Sequence, residues 1–140
     1  VAGFAVTYPQ GYGVRVPDRT QHLAEFAPAG DGPVLGVYRY ESMFGDTDLP
    51  ALFSGLFHGF LQENSPSFTE GETVDFKGLN TEGVMNPYGI TSSGYRLQGH
   101  MYFFSTKGYN FMIDAAVMYG QLDKYAARFD QVAATFGFVE

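Results

Sequence analysis

The stretch GYRLQGHMYFFSTKGYNFMIDAAVMY, residues 94–119, decides the fold of this chain. Two segments rich in aromatic and branched residues flank Thr106-Lys107-Gly108, which predicts a β-hairpin with a short turn that contains glycine. Apolar side chains lie on both faces of this hairpin: Met101, Tyr102, Phe103, Phe104, Phe111, Met112, Ile113, Val117 and Met118. A hairpin that is apolar on both faces predicts a central sheet covered on both sides by helices.

Shorter strand signals surround the hairpin. The segments GFAVTYP, GYGVRVP, HLAEFAP and VLGVYRY precede the middle of the chain, and FTEGETVDF and GLNTEGVMN follow it. Most of these segments alternate apolar and polar residues and stop at proline or glycine, as short strands do. Because most of these segments succeed one another as hairpins do, and the two helical segments are far apart in the sequence, we expect an α+β fold with a mainly antiparallel sheet of about six to seven strands.

Two helices interrupt the strands. The segment DLPALFSGLFHGFLQENSP, residues 48–66, has an apolar stripe at helical spacing, and Asp48 is the predicted N-cap. The stripe consists of Leu49, Leu52, Phe53, Leu56, Phe57, Phe60 and Leu61. The segment QLDKYAARFDQVAATF, residues 121–136, predicts a second amphipathic helix near the end of the chain. No repeat or linker divides the sequence, so residues 1–140 are predicted to form a single domain.

The first helix contains a Gly-x-x-x-Gly spacing, Gly55 and Gly59, which in a membrane would indicate a dimerisation face. Its apolar span covers only residues 49–61, whereas a transmembrane helix needs about 20 residues, so no transmembrane segment is predicted. An interfacial anchor would carry Lys or Arg, and this segment has neither. We therefore predict a core helix whose small-residue flank, with Ser54, Gly55 and Gly59, meets a loop, the other helix or a partner chain.

Composition excludes several classes of function. The chain has 140 residues, a formal net charge of -7 and no cysteine, so nucleic acid is an unfavourable partner and thiolate chemistry and disulfides are absent. The sequence begins at Val1, not at Met, and we expect that an upstream signal peptide or lipoprotein leader was removed. A trimmed cytoplasmic protein would have the same start.

Catalytic and metal-binding candidates are sparse. The three histidines, His22, His58 and His100, form no close ligand pair, and polar roles within the fold are the expected outcome. His100 and Asp114 are the one pair that the hairpin could bring together, depending on its turn length. Asp46 and Asp48 have the spacing that begins a calcium loop, but the rest of that pattern is missing. No catalytic residue, metal ligand or cofactor is predicted.

The segment MNPYGITSSGY, residues 85–95, is a predicted loop with two tyrosines, Tyr88 and Tyr95. Loops that a rigid sheet presents often carry recognition, and tyrosine provides contact area at low entropic cost. We therefore place Tyr88 and Tyr95 on a candidate surface for another protein, together with the small-residue flank of the first helix.

Several segments resemble the PsbP-like/Mog/DcrB superfamily. They are YPQGYGVRVP, the helix entry DTDLPAL, the hairpin STKGYNFMIDA and the closing YAARFDQVAATFGF, in which Thr135-Phe136-Gly137-Phe138 stands where the family has Ser-Phe-x-Phe. The resemblance implies an αβα sandwich and mostly non-catalytic work in photosystem accessory proteins, a GTPase binder, lipoproteins and secretion chaperones. It favours an exported accessory protein that acts through protein-protein contacts. The alternatives are a secretion chaperone that shelters a client's apolar helix, and a small ligand-binding protein or enzyme that has a pocket between sheet and helix and uses His58 or His100.

Overall fold

A computed structural model describes residues 3–17, 21–28, 32–42, 49–106 and 108–139 of the 140-residue chain. Its strands are β1 (Gly3–Ala5), β2 (Tyr12–Arg15), β3 (His22–Pro28), β4 (Val34–Glu41), β5 (Thr69–Glu70), β6 (Val74–Lys77), β7 (Glu82–Ser92), β8 (Tyr95–Thr106), β9 (Tyr109–Met118) and β10 (Gly137–Val139). Its helices are α1 (Pro50–Asn64) and α2 (Leu122–Ala134).

The strands form one large and one small antiparallel sheet. The large sheet has eight strands in the order β2-β3-β4-β9-β8-β7-β5, and β6 also pairs with β7. The small sheet pairs β1 with β10, so that Gly3 lies opposite Val139. The combination of two helices and a mainly antiparallel sheet is as predicted. The large sheet has eight described strands where about six to seven were expected, because short edge strands such as β5 carry little sequence signal.

The hairpin β8–β9 forms the centre of the large sheet, as predicted. Thr106 pairs directly with Tyr109, so the turn has two residues and not the three that the sequence indicated. Gly108 has a φ of 85°, a left-handed conformation that glycine adopts without steric cost. This difference of one residue shifts the whole register: His100 pairs with Ala115, and Met101 pairs with Asp114.

The predicted loop at residues 85–95 is wrong over most of its length, because β7 extends through Ser92. Pro87 is tolerated inside this strand because it lies between the two edge pairings: β5 pairs with Tyr88 and Gly89, and β6 pairs with residues 82–85. The Asn86 side chain bridges the gap between those two edge strands, donating from Nδ2 to the Gly71 carbonyl and to Thr73 Oγ1 at 2.8 and 2.9 Å.

Two buried clusters contact alternate residues of the central strands. Phe53 of α1 packs with Met101, Phe103 and Met112. Phe129 of α2 belongs to the other cluster, whose members on the central strands are Tyr102, Phe104, Phe111, Ile113, Ala115 and Val117. Since neighbouring residues of a strand point to opposite faces, the clusters account for the apolar character of both faces of the hairpin.

Helix α1 begins later and is rotated relative to the prediction. Leu49 occupies the N-cap position and makes no capping side-chain hydrogen bond, and Asp48 lies outside the described residues, as does Asp46. The buried residues of α1 are Phe53, Ser54 and His58. Leu49, Leu52, Leu56 and Phe60, which were predicted to face the core, are exposed. Among the described residues no helix is long and apolar enough to cross a bilayer.

Candidate functional site

The solvent-facing side of α1, with the residue before it, carries four exposed large apolar side chains. Leu52, Leu56 and Phe60 are spaced by four residues and therefore form one ridge along the helix, with relative exposures of 44%, 41% and 60%. Leu49 continues the ridge at 63% exposure. Residues 50–62 contain no Asp, Glu, Lys or Arg, so no charged side chain lies within this part of the helix; Glu63 follows it.

Gly55 and Gly59 lie beside the ridge and are exposed. A Cβ atom built at either position would meet nothing within 4 Å beyond the glycine's own neighbours and the nearby helix backbone. The prediction that a loop or the other helix of this chain packs against them is therefore wrong for the described residues. Contact with a separate partner chain stays a prediction. We call Leu49, Leu52, Gly55, Leu56, Gly59 and Phe60 the outer face of α1.

Two of the predicted surface residues are buried instead. Ser54 is 2% exposed, because the rotation of α1 turns it toward the sheet. Tyr88 is 7% exposed, because it lies in strand β7 and not in a loop and its side chain faces the same side of the sheet as α1. Its hydroxyl donates a 2.5 Å hydrogen bond to Asp114 Oδ1. Tyr95 is 61% exposed and follows the tight turn at Ser93 and Gly94. Neither Ser54 nor Tyr88 belongs to a partner surface in this structure.

His58 connects α1 to the edge strand β5. Its Nδ1 lies 2.7 Å from a Glu70 carboxylate oxygen and 3.5 Å from Ser54 Oγ. Burial lowers the pKa of His58, and the nearby Glu70 carboxylate opposes that effect. Ser54, His58 and Glu70 do not form a catalytic triad. The Ser54 hydroxyl and the Glu70 carboxylate both lie near Nδ1 of His58, whereas a triad needs the hydroxyl at one ring nitrogen and the carboxylate at the other. The arrangement tethers α1.

Asp114 lies on the same side of the sheet as α1. Burial raises the pKa of Asp114 to about 6, and the hydrogen bond from Tyr88 acts in the opposite direction. The pKa of Tyr88 is in turn raised, by burial first and then by the Asp114 charge. Because the register places His100 opposite Ala115, His100 and Asp114 point to opposite faces of the sheet, and the predicted pair does not form.

The other two histidines also have local partners. His100 Nδ1 lies 3.1 Å from the Tyr102 hydroxyl and 3.3 Å from Asp130 Oδ1 of α2, and Tyr102 donates to the same carboxylate oxygen at 2.5 Å. His22 stacks on Tyr38 with ring centroids 4.3 Å apart. Within the described ranges, no group of three or more His, Asp or Glu side chains is placed to hold a metal ion.

Sequence reasoning missed the exposed ridge because Leu52, Leu56 and Phe60 were assigned to the core. A signal was nevertheless present. Helix α1 has no charged residue on any side over residues 50–62, whereas a helix that covers a sheet normally has one polar face. A helix without a charged face in a chain of this size indicates that a second surface covers its outer side.

Solved structures resemble this fold over nearly the whole chain. LpqN of Mycobacterium tuberculosis, described as involved in cell envelope biogenesis, matches with a TM-score of 0.73 and 12% identity, covering 100% of this chain and 85% of that one. Cyanobacterial PsbP from Synechocystis sp. PCC 6803 matches with a TM-score of 0.72 and 14% identity, covering 98% and 87%. The fold is PsbP-like. The superfamily resemblance noted in the sequence is thus confirmed for the fold.

A third similar structure is that of a protein of unknown function from Pseudomonas aeruginosa, described as a putative regulator. Its TM-score is 0.64 with 13% identity, covering 92% of this chain and 83% of that chain. No family model and no curated protein sequence matches the chain. At these identities the similarity establishes the fold, and function has to be argued from the surface.

Proposed function

We propose that residues 1–140 form a single αβα-sandwich domain that acts as a non-catalytic accessory protein of the cell envelope. It binds another protein through the outer face of α1, with Gly55 and Gly59 as the points of closest approach and Tyr95 as a further contact. Export, possession of a lipoprotein leader in the natural precursor, and the absence of catalysis all belong to this proposal. LpqN, with its role in cell envelope biogenesis, supports the compartment.

The exposed ridge of α1 is the observation on which the proposal depends. Leu52, Leu56 and Phe60 leave a contiguous apolar surface in water, and such patches on soluble proteins indicate contact sites. Glycines at positions 55 and 59 are costly in a helix interior, by about 1 kcal/mol each relative to alanine. No atom of the described chain lies close enough to require glycine at these two positions. The close approach of a partner's backbone would explain why both residues are glycine.

Site-specific photo-crosslinking in the source cells tests the proposal. A photoreactive amino acid at position 56 is expected to capture one protein that is not this chain, and the same protein from position 60. The matched control carries the probe at Ala127, which is exposed on α2. Leu52→Asp should reduce the crosslink from position 56, because a carboxylate would be buried against an apolar partner.

Three results would contradict the proposal. They are equal capture from positions 56 and 127, capture of this chain alone, and a crosslink that persists unchanged in the Leu52→Asp variant. A probe at Tyr95 shows separately whether the partner reaches the β7–β8 turn. Fractionation of the source cells tests the compartment: the native protein found only in the cytosol would exclude an envelope role.

A further inference from the structure

A groove on the α2 side of the large sheet lies away from the outer face of α1. Helix α2 packs on β8 and β9, and Thr69 of β5 and Thr91 of β7 on the same face are exposed. The open space has a volume of about 390 Å³ and is lined by residues of β5, β7 and β8 and by the start of α2. This volume is within the range of small-molecule sites.

The sheet register places the polar residues of the groove on one face. Thr91 pairs with Arg96, and Gly89 pairs with Gln98 on one side and with Thr69 on the other. Directly opposite residues of neighbouring strands project to the same side. At the centre of this group, Gly89 has no side chain to fill the floor, and a Cβ there would lie 3.1 Å from Thr69 Oγ1.

Arg96 is a cation without a carboxylate partner among the described residues. Its guanidinium carbon lies 3.7 Å from the centroid of the Tyr119 ring, so the planar group stacks on that ring. Stacking orients a guanidinium and leaves the N–H groups at its edge available to an oxygen ligand. Arg96 and Tyr119 both line the groove.

The amide of Gln98 presents a donor to the same space. Its Oε1 accepts a 3.0 Å hydrogen bond from the Gly120 backbone N–H, which leaves the NH₂ end as the group that is free to bind a ligand. Ser67 has no such capacity, because its hydroxyl donates to the Thr91 carbonyl and accepts from the Thr91 N–H. The free polar groups of the groove are therefore biased toward donors, as a site for an acceptor requires.

Acidic groups near the groove do not neutralise Arg96. Glu70 is among the residues that line the groove. It pairs with Tyr88 in the sheet, so its side chain projects to the α1 side, and its carboxylate lies 2.7 Å from His58 Nδ1. Asp123, in the first turn of α2, is exposed and is not part of the lining. In a chain with net charge -7, this groove is thus a local exception.

We propose that this groove binds a small organic anion through a carboxylate or phosphate group. Arg96, held by Tyr119, binds the charged oxygens, and the Gln98 NH₂ donates to a remaining acceptor; the Thr69 hydroxyl already donates to the Gly89 carbonyl at 3.5 Å. Guanidinium groups bind both carboxylate and phosphate through paired hydrogen bonds, so the two ligand types share this chemistry. The inference does not depend on the partner-binding role of α1.

Binding is measured by amide chemical shifts of the ¹⁵N-labelled chain at pH 7. Sodium phosphate and sodium citrate are the two probes, and sodium chloride of matched ionic strength is the reference. We expect saturable shifts at Thr69, Gln98 and Gly120 with at least one probe. Saturation with phosphate alone identifies a phosphate ligand, and saturation with citrate alone identifies a carboxylate ligand.

Matched variants separate a built site from diffuse charge. Arg96→Gln should weaken binding roughly tenfold or more, since hydrogen bonds to charged groups contribute about 1.5–3 kcal/mol. Arg128→Gln removes the same charge from an exposed position on α2 and should leave binding unchanged. Tyr119→Leu retains the cation but removes its support and should weaken binding less than Arg96→Gln does.

The proposal is overturned if neither probe gives saturable shifts beyond those with chloride. It is also overturned if Arg128→Gln weakens binding as much as Arg96→Gln, because the effect then follows net charge and not the groove. Both arginines are exposed, so the folding of the variants is readily checked by their amide spectra.

Discussion

Among single residues, Asp114 has a carboxylate whose pKa is raised by burial. Its carboxylate accepts a hydrogen bond from Tyr88, and its charge contributes to the raised pKa of Tyr40 as well as that of Tyr88. Because burial raises the pKa of Asp114 to about 6 from 3.8, the folded state binds the proton more tightly than the unfolded state does. The carboxyl group therefore costs stability at neutral pH.

The sign of this effect gives a pH prediction for Asp114→Asn. Between pH 4 and 6 the folded state holds more protons at this site, so its contribution to the free energy of unfolding falls as pH rises through this window. The loss is up to about 3 kcal/mol for a shift of about two pKa units. Asn keeps an acceptor for Tyr88 but does not titrate, so the variant should gain stability relative to the wild type as pH rises.

Urea unfolding of both proteins at pH 4, 5, 6 and 7 measures this difference. Other carboxylates titrate in the same range, but they are common to both proteins and cancel in the comparison. A difference in unfolding free energy that stays constant from pH 4 to 7 would show that Asp114 is ionised normally in the folded state.

The fate of Asp114 also shows where sequence reasoning reached its limit at the residue scale. A three-residue turn at positions 106–108 would have paired His100 with Asp114, whereas the observed two-residue turn pairs His100 with Ala115. The composition of the hairpin was sufficient to predict the strands. The face of each side chain depended on a single residue in the turn, which the local sequence did not determine.

For individual elements, α1 provides the sharpest test, because its two glycines separate stability from binding. Gly55→Ala and Gly59→Ala should each increase the free energy of unfolding by about 0.5–1 kcal/mol, since alanine favours helix and its Cβ would meet no atom within 4 Å in the described chain. Thermal or urea denaturation of the single and double variants measures the gain.

The matched control is Gly83→Ala in β7. A Cβ at position 83 would lie 2.7 Å from Phe104 Cδ1, so this substitution should destabilise the protein where the two helix substitutions stabilise it. If Gly55→Ala or Gly59→Ala lowers stability, then another part of the chain covers the outer face of α1. If both stabilise and the crosslink at position 56 weakens, the glycines serve the partner.

Strand β7 illustrates why element types are harder to predict at a sheet edge. Pro87 and Gly89 are typical loop residues, and they led to a loop prediction over residues 85–95. The structure accommodates both, because the neighbouring edge is split into β5 and β6, and Asn86 fills the interval between them. The pairing of β5 and β6 with β7 depends on residues outside this segment. The pattern of residues 85–95 alone therefore does not predict it.

At the level of the whole molecule, Phe136 joins the small sheet to the large one. Phe136 is fully buried. The centroid of its ring lies 4.6 Å from that of Phe104 in β8 and 5.8 Å from that of Phe4 in β1. Phe136→Ala should therefore reduce the free energy of unfolding by about 3–5 kcal/mol, the usual cost of removing a buried phenyl ring.

Phe60→Ala makes the same chemical change on the outer face of α1. Since Phe60 is 60% exposed, we expect a change in stability within about 0.5 kcal/mol. Urea unfolding followed by circular dichroism measures both variants, and comparable slopes confirm that one cooperative transition is compared. Equal losses in the two variants would contradict the assignment of core and outer surface.

Sequence pattern predicted the architecture better than the surface. Long apolar segments such as β8 and β9 determine a central sheet whatever their neighbours do, because burying them is the main favourable contribution to folding. The outer face of α1 could not be located in the same way. An exposed leucine of α1 cannot be told from a core leucine by residue type. Only the rotation of the helix, which Phe53 and the His58–Glu70 contact determine, decides which leucines are exposed.

The pairing of β1 with β10 also has a mechanical consequence. Gly3 lies opposite Val139 in antiparallel register, so a tension applied between those two positions pulls the strands apart from one end. Under such a load the hydrogen bonds of the short pair open one after another and do not share the force. The eight-stranded sheet bears tension only after the β1–β10 pair has separated. The separation of β1 from β10 is therefore the first event under load.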